Sequence, residues 1–322
     1  MSAWFERFDT QCSRILPQLP VLREEPMRAH TTFRIGGNAR RMARVRSEEE
    51  LSALLTLVHD EGYPYLLLGN GSNLLVSDAG INALLIHTGE MQQIERVDEN
   101  TLYAQAGVPL AKLAVFAMKH SLTGLEFAHG IPGTLGGAVC MNAGAYGGDM
   151  STVVKKAASL TANLALVYRN VENMGLAYRK SIYEENGEIV TAVVFKLELG
   201  DKEKIAAEME TIMAKRIKSQ PLDYPSAGST FKRPEGYYAA ALIDECGLKG
   251  LSVGGAEVSK KHAGFVINYN KATTDDILKL IQHIQKTVYK ADGILLKTEV
   301  LFVGRVIDSE LLPYKAAEEI KI

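Results

Sequence analysis

Gly69-x-Gly71-x-x-Leu74 follows the apolar run Tyr65–Leu68, and glycines placed after a strand let backbone N–H groups come close to an anion. Ser72 and Asn73 add side-chain donors to such a nest, which suits a phosphate or pyrophosphate. The Rossmann dinucleotide fingerprint does not fit. Leu74 stands where the third glycine belongs, and Leu74–Val76 continues as an apolar strand instead of opening a helix. Taken alone, this loop reads better as a turn between two strands with no ligand. A second segment changes the balance: Gly130–Gly148 holds seven glycines in nineteen residues, against an ordinary frequency of about 7%. That density in an apolar context carries a large backbone entropy cost. It requires close approach of the chain, either to another backbone or around a flat ligand. Two such loops point to a long cofactor carrying both a pyrophosphate and a ring system.

The elements that must position these loops follow from pattern. The 322 residues are ample for two or three domains, and 47% hydrophobic with 23% charged residues is ordinary for a folded chain. A formal charge of −2 gives no electrostatic reason for a nucleic-acid or membrane-surface partner. No stretch reaches the roughly 20 uncharged apolar residues that span a bilayer. The amino terminus lacks an apolar secretory core. Cys12, Cys140 and Cys246 are far apart and odd in number, so neither a disulfide framework nor a metal site is expected, and a reducing cytoplasm fits best. Residues 1–20 read as an amphipathic helix, and Ser47–Glu50 reads as a capping box opening a helix that Gly62 stops. Strands are expected at Tyr65–Leu68, Leu74–Val76 and Ala83–His87, a hairpin around Asp98–Asn100, and a helix from Pro109 to about Ser121. Thr152–Leu199 reads mainly as strands, with a hairpin turn at Glu184–Gly187. Beyond a helix at Lys202–Ser219 the pattern turns α+β, with a short strand around Phe231, a helix near Tyr238–Cys246, a strand at Gly264–Asn268, a helix at Asp275–Tyr289 and a last strand at Ile294–Val303. The change of pattern places a domain boundary near residue 200.

At these loops the sequence resembles the UDP-N-acetylenolpyruvoylglucosamine reductase family. The likeness runs in order from about Arg28 to Gly304. It takes in Thr31–Gly37, Leu68–Leu74, the long glycine segment, Tyr178–Ser181, Gln220–Lys232, Gly254–Ala256, Lys261–Phe265 and Thr298–Val300. The resemblance implies an α+β protein with a vanillyl-alcohol-oxidase-type (PCMH-type) FAD-binding domain at 27–200, in subdomains of about 27–90 and 91–200. A smaller substrate-binding domain would follow at 201–305, flanked by an extension at 1–26 and a tail at 306–322. It implies non-covalent FAD, held by Arg34, by Gly69, Asn70, Gly71, Ser72, Asn73 and Leu74, and by Gly133, Thr134, Gly136, Gly137 and Ala138. Between Lys232 and Glu299 there is no room for the tyrosine-bearing loop of one subgroup, so the chain resembles the shorter subgroup.

The activity implied is NADPH-dependent reduction of the enolpyruvyl ether of a UDP-sugar to UDP-N-acetylmuramate, in cell-wall precursor synthesis. Hydride delivered to the vinyl carbon pushes charge toward the adjoining carboxylate, so the protein must supply fixed positive charge or donors there. By family position, Arg179 and Glu299 flank the enolpyruvyl group and Ser229 protonates it, with Tyr178, Arg216 and Lys232 contacting substrate. A planar arginine fork matches a carboxylate. Without the resemblance, Arg179 reads as a surface arginine, Ser229 as a turn residue, and Glu299 with Lys297 as a solvated ion pair on a strand. A serine hydroxyl is a poor acid near neutrality, and Lys232 is the nearest cation in sequence to assist it. His262 receives no base role and Trp4 only packing. Two other readings stay open: a different FAD-dependent oxidase or dehydrogenase on the same fold, and a flavin-binding module without turnover.

Overall fold

Ser47 accepts a hydrogen bond from the Glu50 N–H at 3.2 Å and starts the helix Glu48–Glu61; Gly62, at φ 65°, ends it. The reciprocal half of the expected capping box is spent elsewhere, because the Glu50 carboxylate accepts from the Arg46 backbone N–H at 2.8 Å and from its guanidinium. The structure, a computed structural model, describes residues 4–304 and 319–320, so most of the tail expected at 306–322 lies outside the described residues. The chain divides into two compact units. One comprises the chain up to Leu22, Met42–Asn70 and Leu84–Arg216; the other comprises Arg23–Arg41, Gly71–Ala83 and the described residues from Ile217 onward.

In the first unit, five strands form an antiparallel sheet in the order Leu166–Asn170, Val154–Leu160, Ile189–Lys196, Thr101–Gln105, Ile94–Arg96. Helix Leu110–Lys119 buries Leu110, Leu113, Ala114 and Ala117 in a core with Leu102, Val193 and Phe195. A second core gathers Phe8 and Cys12 from the amino-terminal helix Trp4–Ile15 with Leu51, Leu54, Leu55 and Val58. Trp4 packs there against Phe8 and Tyr63. Tyr65–Leu68 pairs in parallel with Leu84–His87 and delivers the chain to Gly69. The hairpin turn expected at Glu184–Gly187 is instead a short helix, Ile182–Asn186. The Ser181 hydroxyl accepts from the Tyr183 N–H at 3.2 Å and caps it, and Gly187 stops it at φ 69°.

In the second unit, Thr273 and Asp276 make a complete capping box for the helix Thr274–Asp292. That helix buries Ile277, Leu280, Ile281, Ile284 and Val288 against Phe231, Ile243, Val258 and Phe302. Ser252–Val253, Ala256–Val258 and Val266–Asn268 form an antiparallel sheet. Of the strand expected at Ile294–Val303, only Leu301–Val303 is regular, pairing in parallel with Leu74–Val76. Phe231 makes a single antiparallel pairing with Thr298. Residues 294–300 are held by neighbours on two sides at irregular spacing, which no sequence period announces. Among the described residues, no helix is long and apolar enough to cross a membrane.

One charged group in the first sheet is tied down tightly. Glu188, 7% exposed, accepts from Arg169 Nε at 2.8 Å, Ser159 Oγ at 2.8 Å and Asn186 Nδ2 at 2.9 Å. The Arg169 guanidinium holds its carboxyl below the usual carboxylate range. A depressed folded value means that this contribution is full above the unfolded pKa, about 4.3, and is lost as pH falls through the lower folded value. Glu188→Gln should therefore lower stability at pH 7 and flatten the acid limb of stability against pH, read by denaturant unfolding across that range. An unchanged acid limb would contradict this account.

Candidate active site

The two glycine-dense turns of the first unit meet. Asn70 Nδ2 donates to the Pro132 carbonyl, and the Gly69 Cα faces Thr134 so closely that a Cβ at Gly69 would fall inside the Thr134 hydroxyl. Glycine at 69 is thus required by close approach of the second turn. Thr134 precedes the short helix Leu135–Cys140, which carries Gly136, Gly137 and Ala138; Gly136 N–H bonds the Ala106 carbonyl at 2.8 Å. The expected loop is therefore partly helical, with Asn70 and Gly137 exposed and Gly69, Gly133 and Gly136 half-buried.

Tyr178 and Arg179 sit at the tip of a two-residue turn closed by Ala177 N–H to the Lys180 carbonyl at 3.1 Å and the reverse bond at 3.2 Å. Such turns favour Asn-Gly because the backbone is left-handed; here Arg179 takes that conformation at φ 51°. The turn is fastened to the glycine segment by Asn142 Nδ2 donating to the Ala177 carbonyl at 3.1 Å and Ser181 Oγ donating to the Cys140 carbonyl at 2.6 Å. Arg216, 6% exposed, lays its stem along Gly130, with its guanidinium 5.2 Å from the Tyr146 ring centroid. Burial pulls its pKa below the usual guanidinium range. So Gly69, Asn70, Gly133–Ala138, Tyr178, Arg179 and Arg216 belong to one contact network of the first unit. Asn142 and Tyr146 were not singled out from sequence. Their left-handed φ of 42° and 52° within a glycine run is the signal that marks them.

In the second unit, Thr230 is fully buried and holds three segments at once. Its N–H bonds the Gly264 carbonyl at 2.8 Å, its hydroxyl accepts from Val266 N–H at 3.0 Å, and its carbonyl accepts from Glu299 N–H at 2.9 Å. Lys232 N–H bonds the Lys297 carbonyl at 2.8 Å. Exposed Ser229 and half-buried Lys232 and Glu299 therefore lie on two adjoining, hydrogen-bonded segments. Gly71–Leu74 belongs here too. Gly71, at φ 57°, packs on the His30 carbonyl, and Thr32 Oγ1 donates to the Ser72 carbonyl at 3.3 Å, which ties the loop to the turn bearing Arg34 at φ 55°. His262 is explained locally: its Nδ1 accepts from Gly264 N–H at 3.2 Å, its ring packs on Phe265 at 4.9 Å, and burial lowers its pKa.

Residues 39–165 match the family model described as an FAD binding domain, and residues 220–303 match the one described as the C-terminal domain of UDP-N-acetylenolpyruvoylglucosamine reductase. A UDP-N-acetylenolpyruvoylglucosamine reductase of Caldanaerobacter subterraneus subsp. tengcongensis is 46% identical over 290 residues, covering 90% of this chain and 96% of the relative. The chain belongs to the UDP-N-acetylenolpyruvoylglucosamine reductase family. The Clostridioides difficile reductase is 43% identical over 290 residues, covering 90% of this chain and 95% of the relative. The solved reductase of Thermus caldophilus matches with a TM-score of 0.75 at 36% identity, covering 88% of this chain and 98% of that one. This family is made of FAD-dependent oxidoreductases, and the expected fold class, an FAD-binding domain followed by an α+β C-terminal domain, stands.

The residues fit FAD. Small, uncharged groups that offer amides and hydroxyls surround a position where no Cβ can stand, the surface that a pyrophosphate needs. Gly69→Ala should cost about 1–3 kcal/mol through overpacking against Thr134 and weaken flavin retention, with Gly69→Ala/Thr134→Ala recovering part of both. Thermal unfolding and the flavin absorbance of purified protein read the two effects, and full retention in Gly69→Ala would show that the close approach is immaterial.

Proposed function

We propose that this chain reduces the enolpyruvyl ether of UDP-N-acetylglucosamine-enolpyruvate to UDP-N-acetylmuramate, a cytoplasmic step of peptidoglycan precursor synthesis, with NADPH as reductant. The observation that carries the reading is the Glu299 N–H to Thr230 carbonyl bond of 2.9 Å, which sets the Ser229 and Glu299 segments side by side. Bound FAD supplies the hydride relay that side chains lack. Gly69–Leu74, Gly133, Thr134, Gly136–Ala138 and Arg34 are assigned to holding it.

Arg179, permanently charged, pairs with the substrate carboxylate and stabilises the charge that develops there. Its left-handed backbone supports the assignment, since strained conformations persist where the surroundings enforce them and gather at functional sites. Glu299 holds the other side of the enolpyruvyl group, and Ser229 delivers its hydroxyl proton to the carbon next to the carboxylate. Lys232, three residues on, lowers the cost of the alkoxide left behind. Tyr178 and Arg216 contact the remainder of the sugar nucleotide. By this reading residues 27–200 form the cofactor part and 201–305 the substrate part, in the shorter subgroup without the tyrosine loop.

Stopped-flow measurement of the two half-reactions tests the assignment. Ser229→Ala should leave flavin reduction by NADPH within about twofold while slowing reoxidation by the enolpyruvyl UDP-sugar about 10²–10⁴-fold. Equal loss in both half-reactions would make Ser229 structural.

A further inference from the structure

Leu74–Val76 and Leu301–Val303 form a parallel ladder in the register Leu74 with Leu301, Leu75 with Phe302 and Val76 with Val303, and the rung at its start runs from Leu301 N–H to the Asn73 carbonyl at 2.9 Å. One residue earlier the chain is turning out of the glycine loop. There the Asn73 side chain takes over, with Nδ2 donating to the Glu299 carbonyl at 2.9 Å. A side-chain amide thus extends the ladder to the residue bearing the carboxyl. Glu299 is held on its two main-chain polar groups by different elements: its N–H by Thr230 and its carbonyl by Asn73.

We infer that Asn73 is a positioning residue for Glu299: its amide fixes the peptide that carries the carboxyl. This rests on the proposed role of Glu299. It also gives Asn73 a task beside the cofactor contact that the family resemblance implies for it. With the amide lost, the Glu299 carbonyl loses its bond to Asn73 while the N–H keeps Thr230, and the peptide after Glu299 is less firmly fixed. The carboxyl then loses alignment with the enolpyruvyl group while the glycine turns keep their shape. The defect should fall far more heavily on the step that uses the sugar nucleotide than on the NADPH step.

The test compares FAD-loaded wild type, Asn73→Ala, Asn73→Asp, Glu299→Gln and Asn73→Ala/Glu299→Gln. FAD dissociation is followed by flavin fluorescence, and both half-reactions by stopped flow. With FAD held at saturation, so that any weakening of the cofactor contact is set apart, Asn73→Ala should slow reoxidation about 10–100-fold, the scale of a small misplacement, and slow reduction by NADPH far less. The double variant should be no slower than Glu299→Gln. Asn73→Asp, nearly the same in shape, should also be slow near neutrality. It should regain rate relative to wild type as pH falls toward about 4, where the protonated carboxyl can again donate to the Glu299 carbonyl, and Asn73→Ala should not. Wild-type reoxidation in Asn73→Ala, or weakened FAD binding with equal loss in both half-reactions, would overturn the inference and leave Asn73 a cofactor residue only. Wild-type reoxidation in Glu299→Gln would instead remove the role of Glu299 on which it stands.

Discussion

The Ser229 and Glu299 segments keep one fixed relation only if the backbones that carry them cannot slide. In the second unit that constraint falls on Thr230, whose N–H, hydroxyl and carbonyl engage Gly264, Val266 and Glu299. Each bond is an ordinary one, worth about 1 kcal/mol net. Leaving any of the groups unpaired in a fully buried place would cost about 1–3 kcal/mol. The asymmetry makes the arrangement specific: a slip of one residue between the Ser229 and Glu299 segments would strand these polar groups together. The helix Thr274–Asp292 closes the core behind them through Ile277, Ile281 and Ile284.

The first unit solves a different problem, that of bringing several main chains to one surface. Glycine at 69 meets Thr134, and Asn70 reaches the Pro132 carbonyl, so the two loops are shaped by each other as well as by any ligand. Asn142 and Ser181 then carry this surface to the turn at Tyr178 and Arg179. The surface around Gly69 and the turn bearing Arg179 are thereby both tied to the short helix Leu135–Cys140 and the chain leaving it.

Much of this was legible in the sequence where local physics decides. The strands Tyr65–Leu68 and Leu74–Val76 and the helix Lys202–Ser219 lie where pattern places them, because apolar period and flanking glycine or proline agree. The helix expected at Asp275–Tyr289 starts a residue earlier, because Thr273 caps it, and runs on to Asp292. Pattern failed at Glu184–Gly187, where Ser181 caps a helix too short to show a period, and at 294–300, where pairing comes from two sides. The site residues owe their visibility to motif order. What motif order could not convey is the amide of Asn73 completing a ladder to a residue far along the chain, since no spacing encodes a side chain that substitutes for backbone.

Among the described residues, eight non-glycines adopt left-handed φ, and four of them, Arg34, Asn142, Tyr146 and Arg179, lie in the Thr31–Gly37 turn, the glycine segment and the Tyr178–Arg179 turn. Each non-glycine there carries about 1–2 kcal/mol of steric cost. Glycine at 34 or 179 would relieve that cost and remove the guanidinium together. A selection that rewarded thermal resistance alone would therefore find ready gains at these two arginines, and would arrive at a hardier protein with both guanidiniums gone from its loops. Arginine at these two positions keeps a guanidinium in the loop at a steric cost that glycine would not carry.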